Sequence, residues 1–276
     1  MRPRELHARR LAALATAALV GEAELTPKPG LVDRRGGGAH VDMSLGLLRR
    51  SARAIEPAFV EMARVAHAAI PGIALRARLA RIGEAAEADM LAATGGVNAH
   101  RGAIWALGLL VAGAAASEPS APVRRVAAIA GEIARLPHSA AAVGPSHGQR
   151  VRWRYGALGA AGEARAAFPH VVDIGLPALR ASLARGSDVS AARIDALLAI
   201  VARLADTCLL HRGGLRALAG AQNGARAVLA AGGIAAPAGW RAFERLERGM
   251  LAANASPGGS ADMLAATIFA ASLESM

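Results

Sequence analysis

The stretch from residue 26 to residue 43, TPKPGLVDRRGGGAHVDM, cannot form a helix and divides a chain that is otherwise patterned for helices. Its two prolines remove backbone donors, and its four glycines free the backbone from ordinary φ limits. Elsewhere apolar residues recur at helical spacing, alanine is frequent, and only 3% of residues are aromatic, which disfavours sheets. We therefore predict an all-α protein, one domain over residues 1–276, with this polar loop as part of its site.

Helical spacing and breaking residues predict the order of the elements. After the loop, Ser44 is a plausible N-cap, and a break is expected near Pro57. Helices are predicted over residues 4–24, 74–93, 102–116, 123–136, 150–167, 171–185, 190–209, 214–231, 237–253 and 262–273. Glycine-rich polar clusters at 26–43, 95–102, 144–148, 211–214 and 256–262 are expected at helix ends. Free N–H groups at such ends would suit phosphates if the clusters converge on one pocket.

Charge and cysteine content narrow the class of partner. The formal charge of +11 comes from arginines spread along every segment, so we expect no nucleic-acid surface, although a basic protein attracts polyanionic small molecules. The single cysteine, Cys208, excludes an internal disulfide and is typical of a cytoplasmic protein. The N-terminal residues imitate a signal peptide but run into Glu22 and Glu24, so we interpret them as a helix. We expect no membrane span, since no apolar run approaches roughly 20 residues, and a homodimer is compatible with the sequence.

The loop offers a cation and two carboxylates. Lys28, the only lysine, lies between two prolines and is predicted to contact phosphate. Asp33 and Asp42 flank the glycines and are predicted magnesium ligands, because magnesium takes oxygen ligands and shares them with substrate phosphates. The alternative for both is turn chemistry: Asp33 could bend the loop and Asp42 could start the next helix.

Two further polar groups precede or interrupt apolar helices. Asn98, His100 and Arg101 open one whose continuation is wholly apolar, so their side chains cannot all enter the core. The second group holds His147, Arg154, Tyr155, Glu163 and Arg165. Tyr155 could stack on a base or lie in the core with its hydroxyl at the surface, and Arg154 with Glu163 could be a structural ion pair.

Five segments in the same order resemble the triphosphoribosyl-dephospho-CoA synthase family, which serves malonate decarboxylase and citrate lyase. They are TPKPGLVDRRGGGAHVDM, ATGGVNAHRGAIWALGLL, SHGQRVRWRYGALGAAGEARAAFP, DTCLLHRGG and SPGGSADMLAAT. Ala99 and Cys208 depart from the threonine and asparagine that the family tends to have there. The resemblance implies an all-α fold and transfer of the triphosphoribosyl group of ATP to 3′-dephospho-CoA with release of adenine. The product would be the precursor of the prosthetic group on an acyl-carrier subunit.

The resemblance implies a role for each candidate residue. The residues predicted to bind the nucleotide substrates are Lys28, Arg34, His40, Asn98, Arg101, Arg154, Tyr155 and Arg212. Those predicted to move protons or stabilise an oxocarbenium ion are Glu24, Glu163, Asp206, Asp262, His100, His147 and His211. The alternatives are a hydrolase that sends water to the ribose, and a helical protein that binds nucleic acid without catalysis.

Overall fold

Helices make up 73% of the computed structural model, which describes residues 3–137 and 147–276, with side chains from residue 150 in the second range. Within those ranges the only extended pairing is a bridge between Asp33 and Gly36, so the predicted all-α class is confirmed. The helices are α1 Pro3–Glu24, α2 Leu45–Ala54, α3 Glu56–Ala66, α4 Ile73–Thr94, α5 Arg101–Ala116, α6 Val123–Arg135, α7 His147–Tyr155, α8 Gly159–Arg165, α9 Leu176–Ala184, α10 Val189–Val201, α11 Thr207–Ala230, α12 Pro237–Ala252 and α13 Gly258–Leu273.

The core is built around α5. Nearly every residue of this helix is buried, because its sequence is apolar on all faces. It packs against α1, α3, α4, α6, α8 and α13. Small residues allow close approach: a Cβ at Gly113 would lie 2.5 Å from the carbonyl oxygen of Val126 in α6. The alanine and glycine content of the chain therefore serves tight helix packing.

Most helix positions agree with the spacing, and three do not. The predicted helix over 150–167 is wrong, because the chain leaves α7 at Gly156, with φ of 71°, and starts again as α8. The predicted helix over 171–185 begins instead as a π-helix, His170–Gly175, before α9. The predicted helix over 190–209 is also wrong: α10 ends at Val201, and Asp206 caps a new helix.

α11 continues where a helix end was expected. Gly213 and Gly214 were predicted to terminate a helix, but α11 runs from Thr207 to Ala230 and is only kinked at Gly214. Gly214 has φ of 62° and ψ of −158°, a conformation that is essentially restricted to glycine. The kink turns the first two turns of α11 into a separate short arm, which carries much of the site described below.

Within the described residues, no helix is both long enough and apolar enough to cross a bilayer.

Candidate active site

The polar loop is fastened to the end of α1 by a buried ion pair. The Lys28 ammonium donates to Oε1 of Glu22 at 2.6 Å and to the Glu22 main-chain oxygen at 2.7 Å. Lys28 is only 1% exposed, and an ammonium at that depth requires an anionic partner. These contacts use two of its three donors. The predicted phosphate cation therefore lies inside the protein, beside a carboxylate that the sequence did not single out.

Asp33 closes the loop on itself. Its Oδ1 accepts from the main-chain N–H of Arg35 at 2.7 Å, and its Oδ2 accepts from the main-chain N–H of Lys28 at 3.0 Å. The Arg35 guanidinium donates to the same Oδ2 at 2.7 Å. A metal ion could bind here only by breaking these bonds, so Asp33 does not fit as a direct magnesium ligand.

Asp42 is placed differently. It is 55% exposed, and its Oδ1 lies 3.6 Å from Nδ1 of His40. In the described parts of the chain, no group of three or more His, Cys, Asp or Glu residues could hold a metal ion. A magnesium ion would need most of its ligands from substrate and water, and magnesium remains a prediction.

Two segments lie side by side in opposite directions: residues 206–214 at the start of α11, and residues 254–262 leading into α13. We call them the paired segments. At one end Asp206 accepts a hydrogen bond from the Ser260 main-chain N–H at 2.7 Å; at the other, Nη1 of Arg212 donates to Oδ1 of Asn254 at 3.2 Å. Between them, a Cβ at Gly258 would lie 2.9 Å from the Cys208 sulfur.

Asp206 holds the paired segments together at their acidic end. Its Oδ1 accepts from the main-chain N–H groups of Cys208 at 2.8 Å and Leu209 at 3.3 Å, which caps α11. Its Oδ2 accepts from the main-chain N–H and the hydroxyl of Ser260, the latter at 2.8 Å. Burial raises the pKa of Asp206, and these four hydrogen bonds oppose the rise. With both oxygens engaged, Asp206 is suited to anchoring two helices.

Asp262 is the carboxylate without such partners. It lies one turn after Gly258, and a Cβ at Gly102 in the first turn of α5 would stand 2.0 Å from its Oδ2. No hydrogen bond from the described residues reaches either oxygen. Burial raises the pKa of Asp262 well above its ordinary value, and the negative charges of Glu22 and Asp206 raise it further. A carboxyl group in this state is suited to donating a proton.

His100 is a neutral imidazole next to this cluster. Its Nδ1 lies 2.7 Å from the Ser51 hydroxyl oxygen, and its side chain is buried. Burial, and then the positive charge of Lys28, lower the pKa of His100 to about 4. It therefore carries no charge near neutral pH.

The other end of the paired segments opens into a cationic groove of about 540 Å³. α7 contributes Arg150, Val151, Arg154 and Tyr155, and α11 contributes Leu210, His211, Arg212, Gly213 and Gly214. The Arg154 guanidinium lies 5.2 Å from the centroid of the Tyr155 ring. The Tyr155 hydroxyl would lie 3.3 Å from a Cβ at Gly214, so the kink brings α11 close to α7. Three arginines and a histidine make this groove suitable for an anion.

Arg212 joins the groove to the tip of the polar loop. It donates to the main-chain oxygen of Ala39 at 2.8 Å, and its Nη2 lies 2.9 Å from Nδ1 of His40. Because a guanidinium only donates, Nδ1 of His40 accepts, and Nε2 then donates to the Ser256 hydroxyl at 2.9 Å. Burial, and then Arg212, lower the pKa of His40. Arg212 also acts electrostatically on Cys208 in the middle of the paired segments: burial, and then Asp206 and Asp262, raise the pKa of Cys208, and the charge of Arg212 opposes this rise.

A family model for ATP:dephospho-CoA triphosphoribosyl transferase matches residues 8–276, nearly the whole chain. The chain belongs to this transferase family. It is 55% identical over 276 residues to a probable 2-(5″-triphosphoribosyl)-3′-dephosphocoenzyme-A synthase of Azotobacter vinelandii, covering 99% of this chain and 94% of the relative. It is 49% identical over 259 residues to the 2-(5″-triphosphoribosyl)-3′-dephosphocoenzyme-A synthase of Klebsiella pneumoniae, covering 94% and 92%. No solved structure matches it.

The transferase brings some predicted residues together and leaves others apart. Arg154, Tyr155, His211 and Arg212 line the groove, with His40 at its edge, and Asp206, Asp262 and His100 belong to the acidic end. The side chain of His147 lies outside the described residues.

The remaining predicted residues are engaged elsewhere. Glu24 accepts from Arg34 at 2.7 Å and from Arg49 at 2.7 Å. Arg101 donates to Glu87 at 2.8 Å, and the Asn98 side chain accepts from the Arg101 main chain at 3.3 Å. Glu163 lies 2.6 Å from the His170 ring. None of these residues lines the groove.

Several residues of the transferase site were not predicted. Glu22, Ser51, Ser256 and Ser260 contact Lys28, His100, His40 and Asp206 respectively. Ser256 and Ser260 fall in a segment that the sequence did mark as polar and rich in glycine. One feature of the sequence pointed to Glu22. An acidic residue in the last turn of a helix interacts unfavourably with the helix dipole, so its presence there indicates a specific partner.

Proposed function

We propose that this chain transfers the 5-triphosphoribosyl group of ATP to the 2′-hydroxyl of 3′-dephospho-CoA and releases adenine. Membership of the transferase family supports the reaction. The observation that carries the proposal is that the paired segments join a cationic groove at one end to a buried carboxyl group with a raised pKa at the other. ATP also has two such ends, a polyanionic triphosphate and the bond from ribose to adenine.

The triphosphate would lie in the groove. Arg154 offers forked donors that match phosphate oxygens, and Arg212, whose Nη1 and Nη2 already bind Ala39, Asn254 and His40, adds its positive charge. The helical rise puts Arg212 about 9 Å along α11 from Asp206. A nucleoside triphosphate can span this separation. Binding of the triphosphate would then position the ribose carbon at the acidic end. The binding energy of the triphosphate, which does not react, would in this way lower the barrier for the reaction at the ribose carbon. We assign Lys28 an electrostatic role in place of the predicted phosphate contact.

The acidic end suits cleavage of the bond between adenine and ribose. Adenine leaves more easily when its ring accepts a proton, and Asp262 carries one at a raised pKa. The positive charge that develops on the ribose would lie near Glu22, whose carboxylate is paired with the Lys28 ammonium. The attacking 2′-hydroxyl gives up a proton as adenine gains one, so the protons balance over the turnover.

Magnesium enters this proposal with the substrate, as a complex with the triphosphate. Asp42 is exposed near the edge of the groove and could contribute one oxygen, whereas Asp33 is already bound. We expect Asp42→Asn to raise the magnesium concentration for half-maximal rate by about three- to tenfold, the loss of one charge-assisted contact. Asp33→Asn is the matched comparison: it should lower the melting temperature and leave the magnesium requirement unchanged. A raised requirement in Asp33→Asn alone would reverse this assignment.

The groove makes a separate prediction about ATP affinity. Arg154→Ala should raise the KM for ATP by about 10- to 100-fold with kcat changed little, since a hydrogen bond to a charged group contributes roughly 1.5–3 kcal/mol. Arg152 lies on the same helix, is exposed and does not line the groove, so Arg152→Ala is the control and should behave like the parent. Equal KM values in the two variants would remove the triphosphate from this groove.

Mass spectrometry of a reaction with ATP, magnesium and 3′-dephospho-CoA tests the function directly. We expect adenine and a dephospho-CoA adduct that carries the triphosphoribosyl group. Adenine with free ribose triphosphate would indicate a hydrolase, and no release of adenine would refute the proposal. The product is proposed to become the prosthetic group of the acyl-carrier subunit of malonate decarboxylase or of citrate lyase. Supplying each apo-subunit with its attachment enzyme would distinguish the two.

A further inference from the structure

The loop does not depend on the buried ion pair of Lys28 and Glu22 alone to hold it in place. The loop is already fixed by Asp33, which accepts from the main chain of Lys28 and Arg35, and by Arg212, which binds Ala39. A buried ion pair is also weak evidence for stability, because the cost of desolvating two charges offsets much of their attraction. Its position suggests another use.

The pair lies at the end of a helix that packs against the surroundings of Asp262, the buried carboxylate with no hydrogen-bond partner among the described residues. α1, which carries Glu22, packs against α13 and α5, the two helices that enclose Asp262. Within the described residues, the charges that raise the pKa of Asp262, after burial, are those of Glu22 on α1 and Asp206 at the start of α11. Cys208 responds to Asp262 in turn, and Lys28 joins this group through its ion pair with Glu22. Lys28 also acts on His100, which stays neutral.

We propose that Glu22 is a positioning residue for the transfer reaction: its negative charge, held in place by Lys28, keeps Asp262 protonated until adenine leaves. This inference rests on the proposed function. Two buried carboxyl groups without a cation would share one proton, and either could carry it. Lys28 removes this ambiguity, because its ammonium lies 2.6 Å from Oε1 of Glu22, whereas no such cation contacts Asp262 among the described residues. The proton is thereby assigned to Asp262.

The pH dependence of the reaction reports this arrangement. Asp262 acts as an acid, so activity is present below its pKa and is lost as pH rises through it. Glu22 raises that pKa by repelling the charged form. Replacing Glu22 by glutamine keeps an oxygen for Lys28 and removes the negative charge, so the alkaline limb of the kcat/KM profile should move to lower pH.

The experiment compares the pH profile of adenine release in the parent, Glu22→Gln and Glu5→Gln. We expect the alkaline limb of Glu22→Gln to shift down by at least about half a unit, which is roughly a threefold relative loss above the limb. Glu5 is the matched control, because it lies on the same helix and its ion pair with Arg64 is at the surface. Its variant should keep the parent limb.

A uniformly lower rate with the parent limb would overturn the inference and leave Glu22 only its proposed role near the positive charge of the ribose. If Glu22→Gln does not fold, the double variant Glu22→Gln with Lys28→Met removes the pair as a whole and should still move the limb down, by less than Glu22→Gln would because a positive charge leaves with the negative one. A limb in the double variant that stays in place or moves up overturns the inference. Titration of the Asp262 carboxyl carbon by NMR, in parent and variant, makes the comparison without turnover. Failure of the parent to release adenine would instead refute the proposed function.

Discussion

Asp262→Asn should lower kcat for adenine release by about 10²- to 10⁴-fold, the usual contribution of a positioned general acid. Asparagine keeps the shape of the side chain beside Gly102 but cannot donate a proton to the leaving base. Because the triphosphate would bind at the far end of the paired segments, we expect the KM for ATP to change by less than about threefold. The melting temperature should change little, because asparagine is neutral, as the protonated carboxyl group is, and has the same shape.

Asp195 provides a control for this variant. It is also a buried aspartate, but its oxygens accept from the Ser182 hydroxyl at 2.7 Å and from the main-chain N–H of Ile234 at 2.9 Å. Asp195→Asn should lower the melting temperature and leave kcat per folded molecule close to that of the parent. If Asp262→Asn retained kcat within tenfold, Asp262 would not be the proton donor.

Asp206→Ala should destabilise the protein by about 3–7 kcal/mol. The change removes the cap of α11, which contributes roughly 1 kcal/mol, and leaves the N–H and hydroxyl of Ser260 unpaired in the interior, at about 1–3 kcal/mol for each group. For a chain of this size, we expect the melting temperature to fall by roughly 6–28 °C. Thermal unfolding followed by circular dichroism measures the shift.

Two milder variants separate the contributions of Asp206. Ser260→Ala removes only the hydroxyl contact and should cost about 1 kcal/mol. Asp206→Asn keeps one acceptor oxygen and should fall between the other two. The opposite pattern, a normal melting temperature in Asp206→Ala with activity abolished, would return Asp206 to the catalytic role that the sequence predicted.

Much of the fold followed from local patterns, and much of the site did not. The spacing of apolar residues located α1, α4, α5 and α12 closely, because helical periodicity is a local property. The first turns of α11 were not predicted to belong to this helix, because paired glycines usually end a helix. In the structure the helix only kinks at Gly214, where Tyr155 approaches closely. Local rules cannot detect a contact that another helix imposes.

The roles of charged side chains were the hardest to predict. Lys28 and Arg101 were both interpreted as phosphate cations, yet their partners, Glu22 and Glu87, lie on helices with no polar cluster of their own. Asp206 and Asp262 are similar in sequence context, and both were candidates for catalysis. Their contacts distinguish them: Ser260 donates to Asp206, whereas no such contact from the described residues reaches Asp262.

The paired segments also have a consequence for the order in which the protein becomes competent during synthesis. Glu22 and Lys28 are translated before Asn254, Ser260 and Asp262, and Arg212 contacts both the earlier residue Ala39 and the later residue Asn254. The site therefore depends on contacts between segments that are far apart in sequence, and such contacts close large loops. A chain that stops before α13 would lack Asp262 and the contact of Ser260 with Asp206. We expect such a fragment to be inactive, so turnover reports only on chains that include α13.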